Sequence, residues 1–183
     1  MSKNSFLVIF LLVSIQISSK DVSIEIDISE QRLYLTIGSD IKASYPVSSS
    51  KYGEGSIKNS YKTPLGYHVI KEKIGEGVEK NIIFKSRINT RRHADIIEEY
   101  RDSDDDFVTS RIMWLDGTEE GNNRGGSVDS FSRYIYIHGT HEEGLIGTKA
   151  SHGCIRMFNA DAIELFDRIK KEQKFLLELN NPF

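Results

Sequence analysis

From Val22 to Ile28 every second residue is aliphatic, with Ser23, Glu25 and Asp27 between, and the same period of two returns at Leu33, Leu35 and Ile37. Successive side chains of an extended chain point to opposite faces, so this pattern buries one face and wets the other. It predicts two half-buried strands joined as a hairpin around Ser29, Glu30 and Gln31. β-Branched and aromatic residues mark further strands at 43–47, 67–71, 81–84, 110–115 and 133–138. One segment departs from the pattern: residues 159–170 set Ile163, Phe166 and Ile169 at helical spacing, with Asn159 as N-cap, Asp161 early and Arg168 and Lys170 late, as the helix dipole favours. Residues 175–179 then return as a last strand. The expected fold is mainly β with one or two helices, sandwich-like.

The chain has 183 residues, of which 38% are hydrophobic, enough for one compact domain. Its 24 basic and 27 acidic residues leave a net charge of -3, which excludes a surface tuned to a polyanion, so nucleic acid is not an expected partner. Lys3, the apolar run 6–17 and the small pair Ser18-Ser19 read as an export signal over residues 1–19, followed by a catalytic domain over 20–183. The run is shorter than the roughly 20 apolar residues of a spanning helix. No transmembrane domain is expected unless the signal stays uncleaved as an anchor.

Two irregular stretches, 48–64 and 87–106, show no sign of a second domain. The acidic run 102–106 lacks the Gly and terminal Glu of a calcium-binding loop and is expected to be a solvated, mobile insertion. Residues 117–126, with four glycines among charged residues, are expected to form a flexible flap near the site.

The single cysteine, Cys154, stands in Ser151-His152-Gly153-Cys154-Ile155-Arg156-Met157. In an exported chain an unpaired thiol needs a reason, and polar His152 and Arg156 beside it favour catalysis over packing. A thiol with a pKa of about 8.5 is mostly protonated at neutral pH, so a thiolate nucleophile needs an imidazole. His152, two residues away in extended chain, projects parallel to the thiol, whereas His138 ends an apolar strand that can lie beside it; His138 is assigned as the base. Gly153 permits a tight turn and close approach, making the Gly153 and Cys154 N–H groups candidate oxyanion donors. Arg156 is either a clamp for a substrate carboxylate or an ion pair bracing the strand, and Ser151 either a substrate contact or a turn residue. The rival reading is zinc held by His138, His141, His152 and Cys154. His68 and His93 are expected to be structural or solvated.

Ile137-His138-Gly139-Thr140, Ile146-Gly147, the Ser151–Met157 block, and Asn159 with Asp161 and Glu164-Leu165 together resemble the YkuD-type L,D-transpeptidases. Glu30-Gln31-Arg32-Leu33-Tyr34-Leu35 with Tyr45-Pro46-Val47-Ser48 resembles the family's opening hairpin, and Lys62-Thr63-Pro64-Leu65-Gly66 its threonine-proline-glycine turn, so the likeness covers residues 22–179. The resemblance implies a cysteine enzyme of bacterial peptidoglycan, needing no cofactor and no metal. Its thiolate attacks after the meso-diaminopimelic residue of a tetrapeptide stem, releases D-alanine and passes the acyl group to an amine. It implies Cys154 as nucleophile, His138 as general base and acid, the Gly139 carbonyl as its orienter, and His152, Gly153 and Cys154 as the loop around the oxyanion. Peptidoglycan stem peptides are the implied partners. The acceptor amine could belong to another stem peptide, a lipoprotein lysine or a free D-amino acid, and the place is the periplasm. An L,D-carboxypeptidase or other wall hydrolase with the same site, and a zinc-stabilised or non-catalytic wall-binding module, are the alternatives.

Overall fold

The computed structural model describes residues 22–179; the segment read as an export signal lies outside them. In chain order the elements are β1 (Val22–Asp27), β2 (Arg32–Ile37), β3 (Asp40–Ser48), β4 (Gly66–Ile74), β5 (Ile82–Lys85), β6 (Ile88–His93), β7 (Val108–Gly117), β8 (Tyr136–Thr140), β9 (Ile155–Met157), α1 (Asn159–Arg168) and β10 (Lys174–Glu178). The opening hairpin forms where the alternation predicts, with Ile24 opposite Leu35 and Ile26 opposite Leu33. Asp27 closes its turn by accepting from the Ser29 N–H (2.8 Å) and hydroxyl (2.5 Å).

The strands follow one another as β4-β10-β1-β2-β3-β9-β8-β7, and β4 also pairs with β7, so the sheet closes on itself. β7 makes closure possible by its length. One edge carries β8, while the other carries β5 at Val108 and Thr109 and β4 from Ile112 to Gly117. Inside lie Ile24, Ile26, Leu33, Val47, Ile70, Leu115, Ile137 and Phe175. The β5–β6 hairpin hangs outside the closed sheet. β6 was expected to be irregular because Asn89, Thr90, Arg91, Arg92 and His93 carry no apolar alternation, but an edge strand needs only backbone pairing on one side.

Helix α1 packs against β7 and β8 with Ala162, Leu165, Phe166 and the C-cap residue Ile169 buried, while Ile163 is only half-buried. Burying each of the larger three contributes about 2 kcal/mol. Asn159 is not the N-cap, a position held by Phe158. Its buried amide instead donates to the Thr140 carbonyl (2.6 Å) and accepts from the Thr109 hydroxyl (2.6 Å), tying helix, β7 and β8 together. At the other end Lys73 Nζ donates to the carbonyls of Phe166 and Ile169, both at 2.6 Å, where a helix dipole welcomes a cation. Residues 117–126 form no loose flap. Buried Asn123 donates to the carbonyls of Leu65 (3.0 Å) and Tyr67 (3.1 Å), and a Cβ at position 117 would lie 2.1 Å from the Asn123 carbonyl, so the loop is stitched to β4.

Candidate active site

β8 and β9 run parallel, with Ile137 beside Ile155 and His138 beside Arg156. Partners across a sheet share a face, and so do residues two apart, so Tyr136, His138, Cys154 and Arg156 project to the same side while Ile137 and Ile155 enter the core. Cys154 sits just before β9. Its sulfur accepts from the Tyr136 N–H (3.4 Å), and its thiol faces the Tyr134 carbonyl (3.4 Å).

The buried His138 ring donates from Nδ1 to the Gly139 carbonyl at 2.7 Å. A carbonyl can only accept, so the proton resides on Nδ1 and the lone pair on Nε2. Gly139 is needed for close packing as well, because a Cβ there would lie 2.5 Å from Asn159 Oδ1. Burial pushes the His138 imidazole down to about 4, against the pull of Asp106 and the Gly139 carbonyl. Burial likewise pushes the Cys154 thiol up to about 12, with the Tyr136 amide opposing. Both shifts favour the uncharged forms, thiol and imidazole, over a thiolate–imidazolium pair.

The loop ahead of the cysteine is held by Ser151, whose hydroxyl donates to the Cys154 carbonyl (2.6 Å) and accepts from the Gly153 N–H (3.2 Å). Ser151 is fully buried, so it braces the loop and does not reach substrate. Gly153 adopts φ 120°, a region that disfavours side chains, and its carbonyl accepts from the Thr63 hydroxyl (3.1 Å). His152 is partly exposed, donates from Nδ1 to Asp106 Oδ2 (2.7 Å), and lines a cavity of ≈ 240 Å³ with Lys58, Tyr61, Arg133 and Tyr134.

Arg156 is not a substrate clamp. Its side chain is 1% exposed and is paired with Glu142 Oε2 (2.8 Å) and Asp106 Oδ1 (2.6 Å). The acidic run is drawn in with it. The Ser103 N–H donates to Glu142 Oε1 (2.6 Å), the Ser103 hydroxyl meets His141 Nε2 (3.1 Å), and Lys51 pairs with Asp102 (2.9 Å). The expected mobile insertion is thus strapped over the site, because a buried guanidinium requires carboxylates and Asp106 supplies one. Burial pushes the Asp106 carboxyl up, but Arg156, His138 and the His152 hydrogen bond together hold it below the usual carboxylate range.

Of the residues singled out in the sequence, Cys154, His138, Gly139, His152 and Gly153 come together here, while Arg156 and Ser151 lie behind them as supports. Asp106 was missed. Its one signal is indirect: Arg156 between Ile155 and Met157 demands an anion beside it, but nothing in the chain says which of many acids provides it. Among the described residues no three His, Cys, Asp or Glu side chains converge on a point that could hold a metal ion, so the zinc reading lacks its ligand set.

The YkuD family, the L,D-transpeptidase catalytic domain, matches residues 21–176. No curated protein matches the chain. Among solved structures, L,D-transpeptidase 3 from Mycobacterium tuberculosis, carrying a faropenem-derived adduct, aligns over 86% of this chain and 60% of its own, with TM-score 0.53 and 17% identity. A cysteine-to-serine mutant of the Enterococcus faecium L,D-transpeptidase aligns over 86% and 50%, with TM-score 0.51 and 17% identity. An L,D-transpeptidase from Mycobacterium smegmatis aligns over 86% and 58%, with TM-score 0.50 and 16% identity. This chain thus spans 50–60% of the length of these structures, and the likeness at such identities is one of fold. With the family matched over nearly the whole described chain, the protein belongs to the YkuD family of L,D-transpeptidase catalytic domains.

Proposed function

We propose that this domain is an exported L,D-transpeptidase that acts on peptidoglycan tetrapeptide stems through a Cys154 acyl-enzyme, in the periplasm. The observation that carries the reading is the Nδ1 hydrogen bond from His138 to the Gly139 carbonyl, which leaves Nε2 as a base on the sheet face that bears the thiol. As the Cys154 sulfur attacks the carbonyl of the third stem residue, Nε2 takes the thiol proton, so charge separates only as the bond forms. The Cys154 N–H receives the oxyanion, since the Gly153 N–H is committed to Ser151. The imidazolium is steadied by the Gly139 carbonyl and the Asp106 carboxylate, then protonates the departing D-alanine amine. An acceptor amine next attacks the thioester, yields its proton to Nε2, and restores the thiol.

The acceptor is a second stem peptide, giving a 3-3 cross-link, a lipoprotein lysine or a D-amino acid. Mass spectrometry of a disaccharide-tetrapeptide incubated with the protein tests the reading. Dimers joined between two diaminopimelic residues, absent with Cys154→Ser, are the expected result. Tripeptide alone would make the protein a carboxypeptidase, and unchanged substrate would remove the enzymatic reading.

A further inference from the structure

The β5–β6 hairpin turns at Ser86 and Arg87, a two-residue loop between paired Lys85 and Ile88. Both loop residues have positive φ, 49° and 68°. Such loops ordinarily carry Asn-Gly, because side chains are strained in this region. Neither residue here is glycine, so other contacts must hold the turn.

They lie at its tip. The Arg87 guanidinium rests 4.6 Å from the Trp114 ring centroid and 4.9 Å from that of Tyr134, and donates to the Tyr136 hydroxyl at 3.1 Å. The platform is itself rigid. Trp114 Nε1 donates to the Phe131 carbonyl (3.0 Å), and its ring stacks on Phe131 at 4.1 Å. None of these partners of Arg87 is a carboxylate, so among the described residues a half-buried cation is placed on an aromatic floor with no ion-pair partner. The same two tyrosines flank the nucleophile, since the Tyr136 amide and the Tyr134 carbonyl are the hydrogen-bond partners of the Cys154 sulfur.

The reaction proposed above has a symmetry that suits a cation at this place. The leaving D-alanine carries its carboxylate on the carbon that bears the departing amine. A diaminopimelic acceptor, or a free D-amino acid, carries a carboxylate on the carbon that bears the entering amine; a lipoprotein lysine side chain does not. Resting on that functional reading, we propose that Arg87 is a specificity-determining residue: its guanidinium takes the carboxylate adjacent to the reacting amine and so selects α-amino acids as acceptors over plain amines. A planar guanidinium can hold a carboxylate through two parallel hydrogen bonds while its face stays on the rings.

The test compares D-methionine with D-methioninamide as acceptors, at fixed tetrapeptide donor, in the wild type and in the Arg87→Gln, Arg87→Lys and Lys58→Gln variants. Ratios within one variant do not depend on how much of it folds. The wild type should prefer the acid about tenfold or more, the worth of one charged hydrogen-bonded contact. Arg87→Gln should bring the ratio close to one through the KM for the acid, Arg87→Lys should keep part of it, and Lys58→Gln should leave it unchanged. A preserved ratio in Arg87→Gln, a wild type without preference, or a ratio lost only in Lys58→Gln would each overturn the assignment; the last would move the anion to the neighbouring cavity. Acyl transfer without acid preference defeats this inference alone, whereas no turnover of any donor defeats the functional reading and this inference together.

Discussion

The two faces of the β8–β9 pair are buried to the same degree by opposite means. Ile137 and Ile155 point into an aliphatic core, where each neighbour is interchangeable with another of similar volume. His138 and Arg156 point to the other side, where Arg156 meets Glu142 and Asp106, and Ser103 joins Glu142 to His141, through ion pairs and hydrogen bonds between particular partners. The first kind of burial is generic and the second is specific, so the two should respond differently to damage of similar size.

The largest difference should come from charge. Arg156→Met leaves Glu142 and Asp106 packed without their cation and should cost about 3–5 kcal/mol, against about 1 kcal/mol for Ile137→Val on the opposite face. Urea denaturation at neutral pH reads both. The double variant Arg156→Met with Glu142→Gln should recover part of the loss, and equal losses at Arg156 and Ile137 would end the distinction.

Acid should attack the polar parts next. His68, held between the Ser130 hydroxyl and the Gly66 carbonyl, is pushed down to about 4 by burial, as is His138. Both are neutral in the folded state, while the unfolded chain binds protons below a pKa of about 6.5. Their contribution is thus complete above about pH 6.5 and is lost as pH falls from there through about 4, on the order of 3 kcal/mol for each. Urea midpoints from pH 7 to 4 should show this slope, and His68→Gln should flatten it. Cys154 acts at the opposite limit. Its thiol ionises near 8.5 when unfolded but is pushed up to about 12 when folded, so stability declines as pH rises above about 8.5.

A smaller effect is expected from Asp106→Asn, which keeps the shape but removes the charge facing Arg156 and His152. Stability should fall by about 1–2 kcal/mol and acyl transfer by about tenfold, in kcat more than in KM. Steady-state kinetics beside a melting curve separates the two, and unchanged kcat would reduce Asp106 to a structural brace. Smallest is Ser86→Gly, which relieves one left-handed residue and should raise stability by about 0.5–1 kcal/mol, visible as a shift in thermal midpoint.

The same contrast explains what could be read in advance. Strands β1, β2, β3, β4, β5, β7 and β10 announce themselves because one face of each meets apolar neighbours and the side-chain period is two. α1 was legible from its apolar stripe, although its N-terminus was not: Asn159 looks like a cap in sequence and acts as a buried bracket between β7 and β8. The start of β8 was placed three residues early because Arg133 to Ile135 belong to a turn closed onto Asp129 and Ser130. β9, the extended segment that carries Arg156, is only three residues long and starts directly after the cysteine, too short for its bounds to show in the alternation.

By itself the sequence determined the mainly β character, the helix after the cysteine, and the choice of Cys154 and His138 as candidate residues, since hydrophobic period and residue chemistry are local properties. Only the tertiary structure decided that the sheet closes through β4 and β7, that Arg156 is buried and paired with two carboxylates, and that the acidic run 102–106 straps the site. Apolar residues need only be removed from water, so any apolar neighbour serves and the pattern alone suffices. A buried charge needs one particular partner at one distance, and that choice is made by chain segments far apart in sequence meeting in space.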